Sequence, residues 1–520
     1  MKIKKLWVSK YKNLENQWFN FKDGPLISLL VGQNGLGKSN LLEVITSIMR
    51  QIDLAENEEQ LTIKTDRYFF DFEITYISEG NEIELIAKNE SLTIHITEPE
   101  KAKANISFNT FKINKSKGYF PENIIVYYSG ENKRIKKLFE RHKEKRDYNL
   151  KRIPKLSESP VLGRLFYVEE NYGEILFFVL WIIKELPDYK NHIGELFSEF
   201  SGIEKESSVY ITLCNPTFYT YKKQSGVEDL ESNGYNYEPL WNLNGEVEQF
   251  VRILYDNQIV KAAPTMYRDP DEVKEKKIDE FIIFDKLDFD ELAVTLLENF
   301  GSVLKIFDVL EAAHSIGIIY KIGSSLNKNG SSIQHDFSEL SEGEQQLLTV
   351  MGLLLITGRS NTLYLLDEPD THLNPQWQRD YAYLLKKFDV PNENSQIIVS
   401  THSPLIVQSA EESDLFLFKK KNGSVVVDKN EHKIHNWRLD QVLVSEYFGL
   451  DSARPRSLDN YMKLKEEILN KYPFEKEDEI RLAEFENDFG VLPTGETKTE
   501  IKVMQLMNHF IKNQDDTNKK

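Results

Sequence analysis

Gly32-Gln33-Asn34-Gly35-Leu36-Gly37-Lys38-Ser39 decides how this chain is read. Glycines at this spacing, followed by a lysine and a hydroxyl, let the backbone wrap until its N–H groups converge on phosphate oxygens. On the N-terminal side, Pro25 to Val31 contains the apolar run LISLLV, the pattern of a strand covered on both faces in a parallel sheet. On the C-terminal side, Asn40 to Arg50 places Leu41, Leu42, Ile45 and Met49 at helical spacing. The order strand, glycine-rich loop, helix brings a positive helix end to the anion. In that setting Lys38 is predicted to reach the β- and γ-phosphates of a nucleoside triphosphate, and the Ser39 hydroxyl to ligate Mg2+.

Further along, Thr362 to Leu366 (TLYLL) reads as a buried strand that ends in Asp367-Glu368-Pro369. Adjacent acids at a strand end point in different directions, so Asp367 is predicted to hold Mg2+ and Glu368 to orient and polarise the attacking water. Taken alone, such a pair reads as a surface turn. Its company with the phosphate loop reverses that reading. Two more stretches complete a set: Leu340-Ser341-Glu342-Gly343-Glu344-Gln345-Gln346 runs into the apolar helix LLTVMGLLLI, and Ser400-Thr401-His402-Ser403-Pro404 follows a strand over Gln396 to Val399.

With these four elements in this order, the chain resembles the ABC-type ATPases, in the branch of RecF-like, SMC-like and double-strand-break-repair ATPases. The resemblance implies an α/β P-loop head with an antiparallel β-subdomain, and ATP with Mg2+ as cofactors. It implies that residues 32–40, Asn40 included, bind ATP and that His402, in THSP downstream of the two acids, acts as a switch histidine. It also implies a second copy of the chain, whose Ser341, Glu342, Gly343, Glu344 and Gln345 would close over the γ-phosphate. Lys12 and Asn13 resemble the nucleotide-contacting turn of the break-repair branch. The glutamine that senses Mg2+ in this family has no counterpart in IIVYYSGENKR, where Ser129 to Asn132 stand in its place. Glu342 and Asn374 also depart from the transporter pattern, and neither touches ATP binding.

The opening, KIKKLWVSKYKNLENQWFNF, reads as two paired strands broken at Lys12 to Glu15, and short alternating runs from about Thr62 to Phe111 read as an antiparallel β-subdomain. Lys133 to Lys155 holds eleven basic residues against three acids, a local balance of +8. That is either a solvated helical face or a contact for a phosphate backbone or an acidic partner. Helices are expected at Glu174 to Glu185 and Asp290 to Leu310, and strand around Ser208 to Lys222. Sustained heptads are missing, so no long coiled-coil arm is expected. The predicted division is 1–132 and 335–430 for the head, 133–334 for a compact, mainly helical insertion and 431–520 for a helical C-terminal region. In that tail a helix from Ser457, a charged linker and a helix over Thr497 to Lys512 are expected. Val503, Leu506, Met507 and Phe510 of the last helix form either a docking face or an internal contact.

The 520 residues are 40% hydrophobic and 28% charged, the composition of a soluble globular chain with a sizeable core. The net charge of −18 opposes a uniformly basic nucleic-acid binder, so any DNA or RNA contact must be local. One cysteine, Cys214, and an opening without a secretory apolar core point to a reducing cytoplasm. The clean apolar run Ile175 to Ile183 falls well short of the roughly 20 residues that cross a bilayer, so no membrane partner is expected. The compact insertion, the stretch from Trp437 to Leu450 and the lack of a fused catalytic domain resemble the ATPase subunits of Septu-type anti-phage systems, retron-encoded relatives included. This resemblance implies a separate HNH-type nuclease as partner and, for the retron variant, a reverse transcriptase with its msDNA. Two alternatives stand beside it: a RecF-like repair clamp, and an OLD-like ATPase without its Toprim nuclease. Toprim chemistry needs an Asp-x-Asp for its metals, and none occurs after His402.

Overall fold

The computed structural model describes residues 1–21, 25–55, 70–89, 91–130, 134–152, 165–169, 172–204, 207–214, 245–258, 281–284, 287–358, 361–389, 395–429, 434–489 and 499–507. In chain order the strands are β1 (Lys2–Tyr11), β2 (Leu14–Asn20), β3 (Ile27–Gly32), β4 (Phe72–Ser78), β5 (Asn81–Lys88), β6 (Ser91–Thr97), β7 (Ala104–Ile106) and β8 (Asn123–Tyr128). They continue with β9 (Leu165–Tyr167), β10 (Ser208–Cys214), β11 (Phe281–Phe284), β12 (Ile319–Ser325), β13 (Thr362–Asp367), β14 (Gln396–Ser400), β15 (Asp414–Lys421) and β16 (Ser424–Lys429). The chain forms two compact units, Met1–Trp437 and Arg438–Lys520.

The first unit is an α/β head around a seven-stranded sheet in the order β16-β15-β3-β14-β13-β8-β9. The pairs from β15 through β9 are parallel, and β16 closes one edge antiparallel. Every residue of β3, β13 and β14 is buried, which is why their sequences run apolar without alternation. Helix α1 (Lys38–Leu54) leaves the phosphate loop and carries Leu41, Leu42, Ile45 and Met49 into the core.

A six-stranded antiparallel sheet, β2-β1-β4-β5-β6-β7, forms the β-subdomain. The opening strand pair belongs to it: Trp7 lies opposite Trp18 on one side and Glu73 on the other. Its inward residues, among them Leu6, Val8, Ile74 and Leu85, share one core with α1. The residues from Thr62 to Arg67 lie outside the described set, and the run ends in a helix at Phe108–Ile113 capped by Ser107.

The stretch predicted as an insertion is woven into the head. After α2 (Arg134–Arg152), β9 pairs with β8 at the edge of the central sheet. Helix α3 (Tyr172–Ile183), buried at every residue except Glu174, packs so closely on the helix Glu342–Thr357 that a Cβ on Gly352 would lie 2.8 Å from Leu180 Cδ1. The expected helix Asp290 to Leu310 is two helices, α4 (Phe289–Phe300) and α5 (Val303–Ser315). Gly301 at φ 78° stops the first, and the Ser302 side chain caps the second by accepting from Lys305 N–H, the glycine stop and serine start that outweigh continuous apolar spacing. A three-stranded sheet, β11-β10-β12, adds strand to this mainly helical region; the expected strand beyond Cys214 lies outside the described residues. Helices α6 (Glu342–Thr357) and α7 (Pro375–Phe388) complete the head.

In the second unit, α8 (Asp459–Asn470) is followed by α9 (Lys476–Phe489) where a charged linker was expected. The charged residues of α9 hide a narrow apolar stripe. Leu482 joins Tyr461, Leu464, Ile468 and Ile501 in a small core, and Phe485 meets Tyr461 edge-on at 5.5 Å. Tertiary burial, absent from the local pattern, makes it a helix. Ile501 and Gln505 of the last helical stretch turn inward, with Gln505 Nε2 donating to Ile468 O at 2.6 Å. Val503, Leu506 and Met507 stay exposed, and Phe510 lies outside the described residues. Among the described residues no helix is long and apolar enough to cross a membrane.

Candidate active site

The carboxyl ends of β3, β14 and β13 lie side by side, and the loops leaving them bring residues 32–40, 401–403 and 367–370 together, as open α/β sheets do at their binding edge. Gly32, at φ 141°, must be glycine: a Cβ there would sit 2.3 Å from Phe418 O of β15. Gly37, at φ 102°, leaves room for Asn13, whose Oδ1 would lie 2.6 Å from an added Cβ. Asn13 donates from Nδ2 to Gly35 O at 2.8 Å and accepts from Asn40 Nδ2 at 2.6 Å, tying the β1–β2 turn to the loop. Gln33, Asn34 and Gly35 are exposed at the crest, and Leu36 packs partly on the core.

Lys38 is buried, and its Nζ donates to Gly32 O at 2.8 Å and Gln33 O at 3.3 Å. Burial pulls its ammonium down to about 8, against the opposing pull of Glu368 and Asp367. Six other helices of the head, at Phe108–Ile113, α4, α5, α6, α7 and Pro404–Ser409, have a side chain accepting at their N-cap; among the described residues α1 has none, like the short helix Lys190–Glu195, and its first turn holds no acid. An open helix end of this kind suits a phosphate.

Asp367 and Glu368 point to different partners. Asp367 Oδ1 accepts from Ser39 Oγ at 3.1 Å and from Ser400 Oγ. The carboxylate is fully buried, burial raises its pKa, and among the described residues its Oδ2 has no hydrogen-bond partner. A buried oxygen without a donor, beside a hydroxyl, is the donor set that a Mg2+ ion and its waters satisfy. Glu368 instead sits 3.4 Å from His402 Nε2, and that contact holds it below the usual carboxylate range. Its backbone takes φ 51°, a left-handed conformation that costs a non-glycine residue about 1 kcal/mol and clusters at functional sites. Ser129 donates from Oγ to Glu368 O at 2.6 Å, which places the start of the Ser129 to Asn132 segment at the carboxylate pair; Glu131 and Asn132 lie outside the described residues.

Ser341 to Gln345 begin α6. Ser341 caps it in a reciprocal box with Glu344: Ser341 N–H donates to Glu344 Oε2 at 3.0 Å, and Glu344 N–H to Ser341 Oγ at 3.3 Å. Glu344 also pairs with Lys328 at 2.5 Å, Gln345 Nε2 donates to Leu340 O at 2.8 Å, and Glu342 meets His372 at 2.8 Å. Gly343 lies so close to the loop after β13 that a Cβ would fall 2.6 Å from His372 O. The serine-tipped helix end and residues 370–374 are therefore one packed body.

Sequence reasoning gave no role to three residues here. Glu43 of α1, almost fully buried, accepts from Tyr11 OH at 2.9 Å and pairs with Lys12, which stands at φ 52°; an acid inside the buried run LLEVI was its signal. Ser400, one place before Thr401, serves Asp367 and also accepts from Glu368 N–H at 3.2 Å. Asp370, buried and pushed up to about 6 by that burial, accepts from Thr401 Oγ1 at 2.9 Å, joining the two loops.

A family model described as "AAA domain, putative AbiEii toxin, Type IV TA system" matches residues 215–408, a span that holds the Ser341, Asp367–Glu368 and His402 motifs. The Septu protein PtuA of Bacillus thuringiensis is 29% identical over 145 residues, covering 27% of this chain and 35% of that protein. The Retron Vc95 probable ATPase of Vibrio cholerae is 24% identical over 399 residues, covering 73% of this chain and 66% of that protein. Both matches span less than two thirds of the relative's own length. Among solved structures, the SMC head domain from Thermotoga maritima aligns with 83% of this chain and all of that one at 14% identity and a TM-score of 0.32.

Proposed function

We propose, from the premise that this chain is an ABC-type ATPase of the RecF- and SMC-like branch related to the Septu and retron ATPases, that two copies sandwich ATP and that the closing pair gates a separate HNH-type nuclease in anti-phage defence. In this reading the chain hydrolyses ATP and carries no nuclease centre of its own. Residues 32–40 cradle the phosphates, with Lys38 exchanging its two carbonyl partners for phosphate oxygens. Asp367 and Ser39 would hold Mg2+, which when bound supplies charge neutralisation at the β- and γ-phosphates. Glu368 takes the proton of the attacking water, and His402 orients that carboxylate. Lys12 and Asn13, held by Glu43, Gly35 and Asn40, flank the nucleotide. The observation that carries this reading is Ser39 at 3.1 Å from Asp367 across 328 residues of sequence, beside an unpartnered Asp367 oxygen.

The test is reconstitution. Co-expression with an HNH partner is expected to yield a complex that survives purification and whose nuclease activity vanishes when the partner's catalytic site is mutated. A chain that cuts nucleic acid alone, or ignores ATP, would overturn the proposal.

Closure needs an unobstructed serine-tipped helix end on the second copy. Ser341→Arg is expected to leave ATP affinity within about twofold while abolishing the ATP-dependent dimer in analytical ultracentrifugation. Ser341→Ala, which loses the cap at a cost of about 1 kcal/mol but adds no bulk, separates lost capping from blocked closure.

The basic segment divides on α2. Lys136 and the exposed Lys143 both pair with Glu169, and His142 meets Asp53 at 3.3 Å, so these side chains are tied to the head; Lys137 and Arg141 are exposed. Reversing Lys136 and Lys143 to glutamate is expected to lower the melting temperature by about 2–4 °C, whereas reversing Lys137 and Arg141 leaves it unchanged. Equal effects of the two pairs would contradict this division.

A further inference from the structure

We propose that the outward face of the six-stranded sheet binds single-stranded nucleic acid by stacking unpaired bases on Trp7 and Trp18. Strand alternation builds this face: Leu6, Val8 and Phe19 point into the core, so the residues between them project the other way. Trp7 and Trp18 lie directly opposite in the β1–β2 register, with ring centroids 6.0 Å apart and planes tilted by 37°. Trp18 is 39% exposed, an unusual place for an indole unless its face has work to do. Trp18, with the half-buried Trp7 beside it, offers neighbouring stacking surfaces, and base–aromatic stacking tolerates any base.

Lysines lie over the ring faces, where a stacking base would displace them towards its flanking phosphates. Lys5 Nζ lies 4.1 Å from the Trp18 ring centroid, and Lys88 Nζ 5.0 Å from that of Trp7. The acids on this face are already matched: Glu73 by Lys88, Glu82 by Lys4 at 3.0 Å and Glu84 by Lys103 at 2.6 Å. Lys2 and Lys5 of β1 are left as surplus positive charge, a local reversal in a chain of net charge −18. A duplex keeps its bases stacked internally and shows only phosphate and groove edges to a flat sheet, so the indoles select unpaired strand. No residue of this face belongs to the phosphate loop or its partners, so the inference stands apart from the ATPase reading.

The experiment titrates the full-length chain, without nucleotide, into a labelled oligothymidylate and into a duplex of equal length, at low and at physiological salt, following anisotropy. The oligothymidylate is expected to bind more tightly than the duplex. Trp18→Ala is expected to weaken it about tenfold, Trp18→Phe to keep most of the affinity, and Lys5→Glu to weaken it and flatten the salt dependence. ATP affinity, measured alongside, should stay unchanged and certifies the fold; if Trp18→Ala fails that control, Lys5→Glu at its exposed site carries the test. Oligothymidylate affinity that neither substitution moves, equal affinity for duplex, or no binding by the wild-type chain, as a protein-docking face would give, would overturn the proposal.

Discussion

Lys38→Ala should lower ATP affinity by about two orders of magnitude while leaving the fold intact. A buried ammonium among phosphate oxygens contributes about 3 kcal/mol to binding, near a hundredfold. The free protein does not depend on that ammonium in the same way. Its partners are two carbonyls at 2.8 and 3.3 Å, and burial pulls it down to about 8, which means that enclosing the charge costs stability at neutral pH. With the folded value below the unfolded one, that cost is present below pH 8 and fades as pH rises towards the ordinary lysine value. Truncation removes the cost, so the melting temperature without nucleotide should hold or rise. Calorimetric titration with ATP, together with melting curves with and without it, checks both halves: the wild type gains stability from ATP and the variant does not. A variant that binds ATP normally would remove Lys38 from the phosphate site.

Glu368→Gln should separate binding from turnover. The substitution is isosteric, spares the φ 51° backbone and leaves the phosphate loop untouched, so ATP affinity is expected to stay within a fewfold. Hydrolysis should fall by about 10²–10⁴, the usual contribution of a general base. His402 keeps the wild-type carboxyl below its usual range, hence ionised at neutral pH and able to take a proton, which an amide cannot do. ATP bound but not consumed should hold two copies together, so the variant is expected to accumulate as a nucleotide-dependent dimer. Single-turnover hydrolysis and light scattering read the two effects. Loss of ATP binding equal to that of Lys38→Ala would contradict the division of labour between Asp367 and Glu368.

Much of the central sheet could be read before any coordinates, because LISLLV, TLYLL and the strand at Gln396 are buried on both faces and must run apolar. The break between α4 and α5 was also written locally, in Gly301 and Ser302, but the apolar spacing on either side masked it. Helix α9 was not legible. Its charges resemble a solvated linker, and its apolar stripe acquires meaning only when Tyr461 and Leu464 are brought against it. The merging of the opening strand pair with β4 escaped the sequence for a similar reason, since register between strands 60 and more residues apart is set by a shared core.

The glycine loop, the acid pair, the serine-tipped helix and the histidine could be named from the chain alone, since each is a short motif whose chemistry depends on adjacent residues. Their supporting contacts could not. Glu43 meets Lys12, Ser400 meets Asp367 and Thr401 meets Asp370 only because β14 lies between β3 and β13 and the β1–β2 turn folds over α1. Local spacing specifies a motif, whereas the partners of a buried charge are chosen by whichever distant strands the core places beside it.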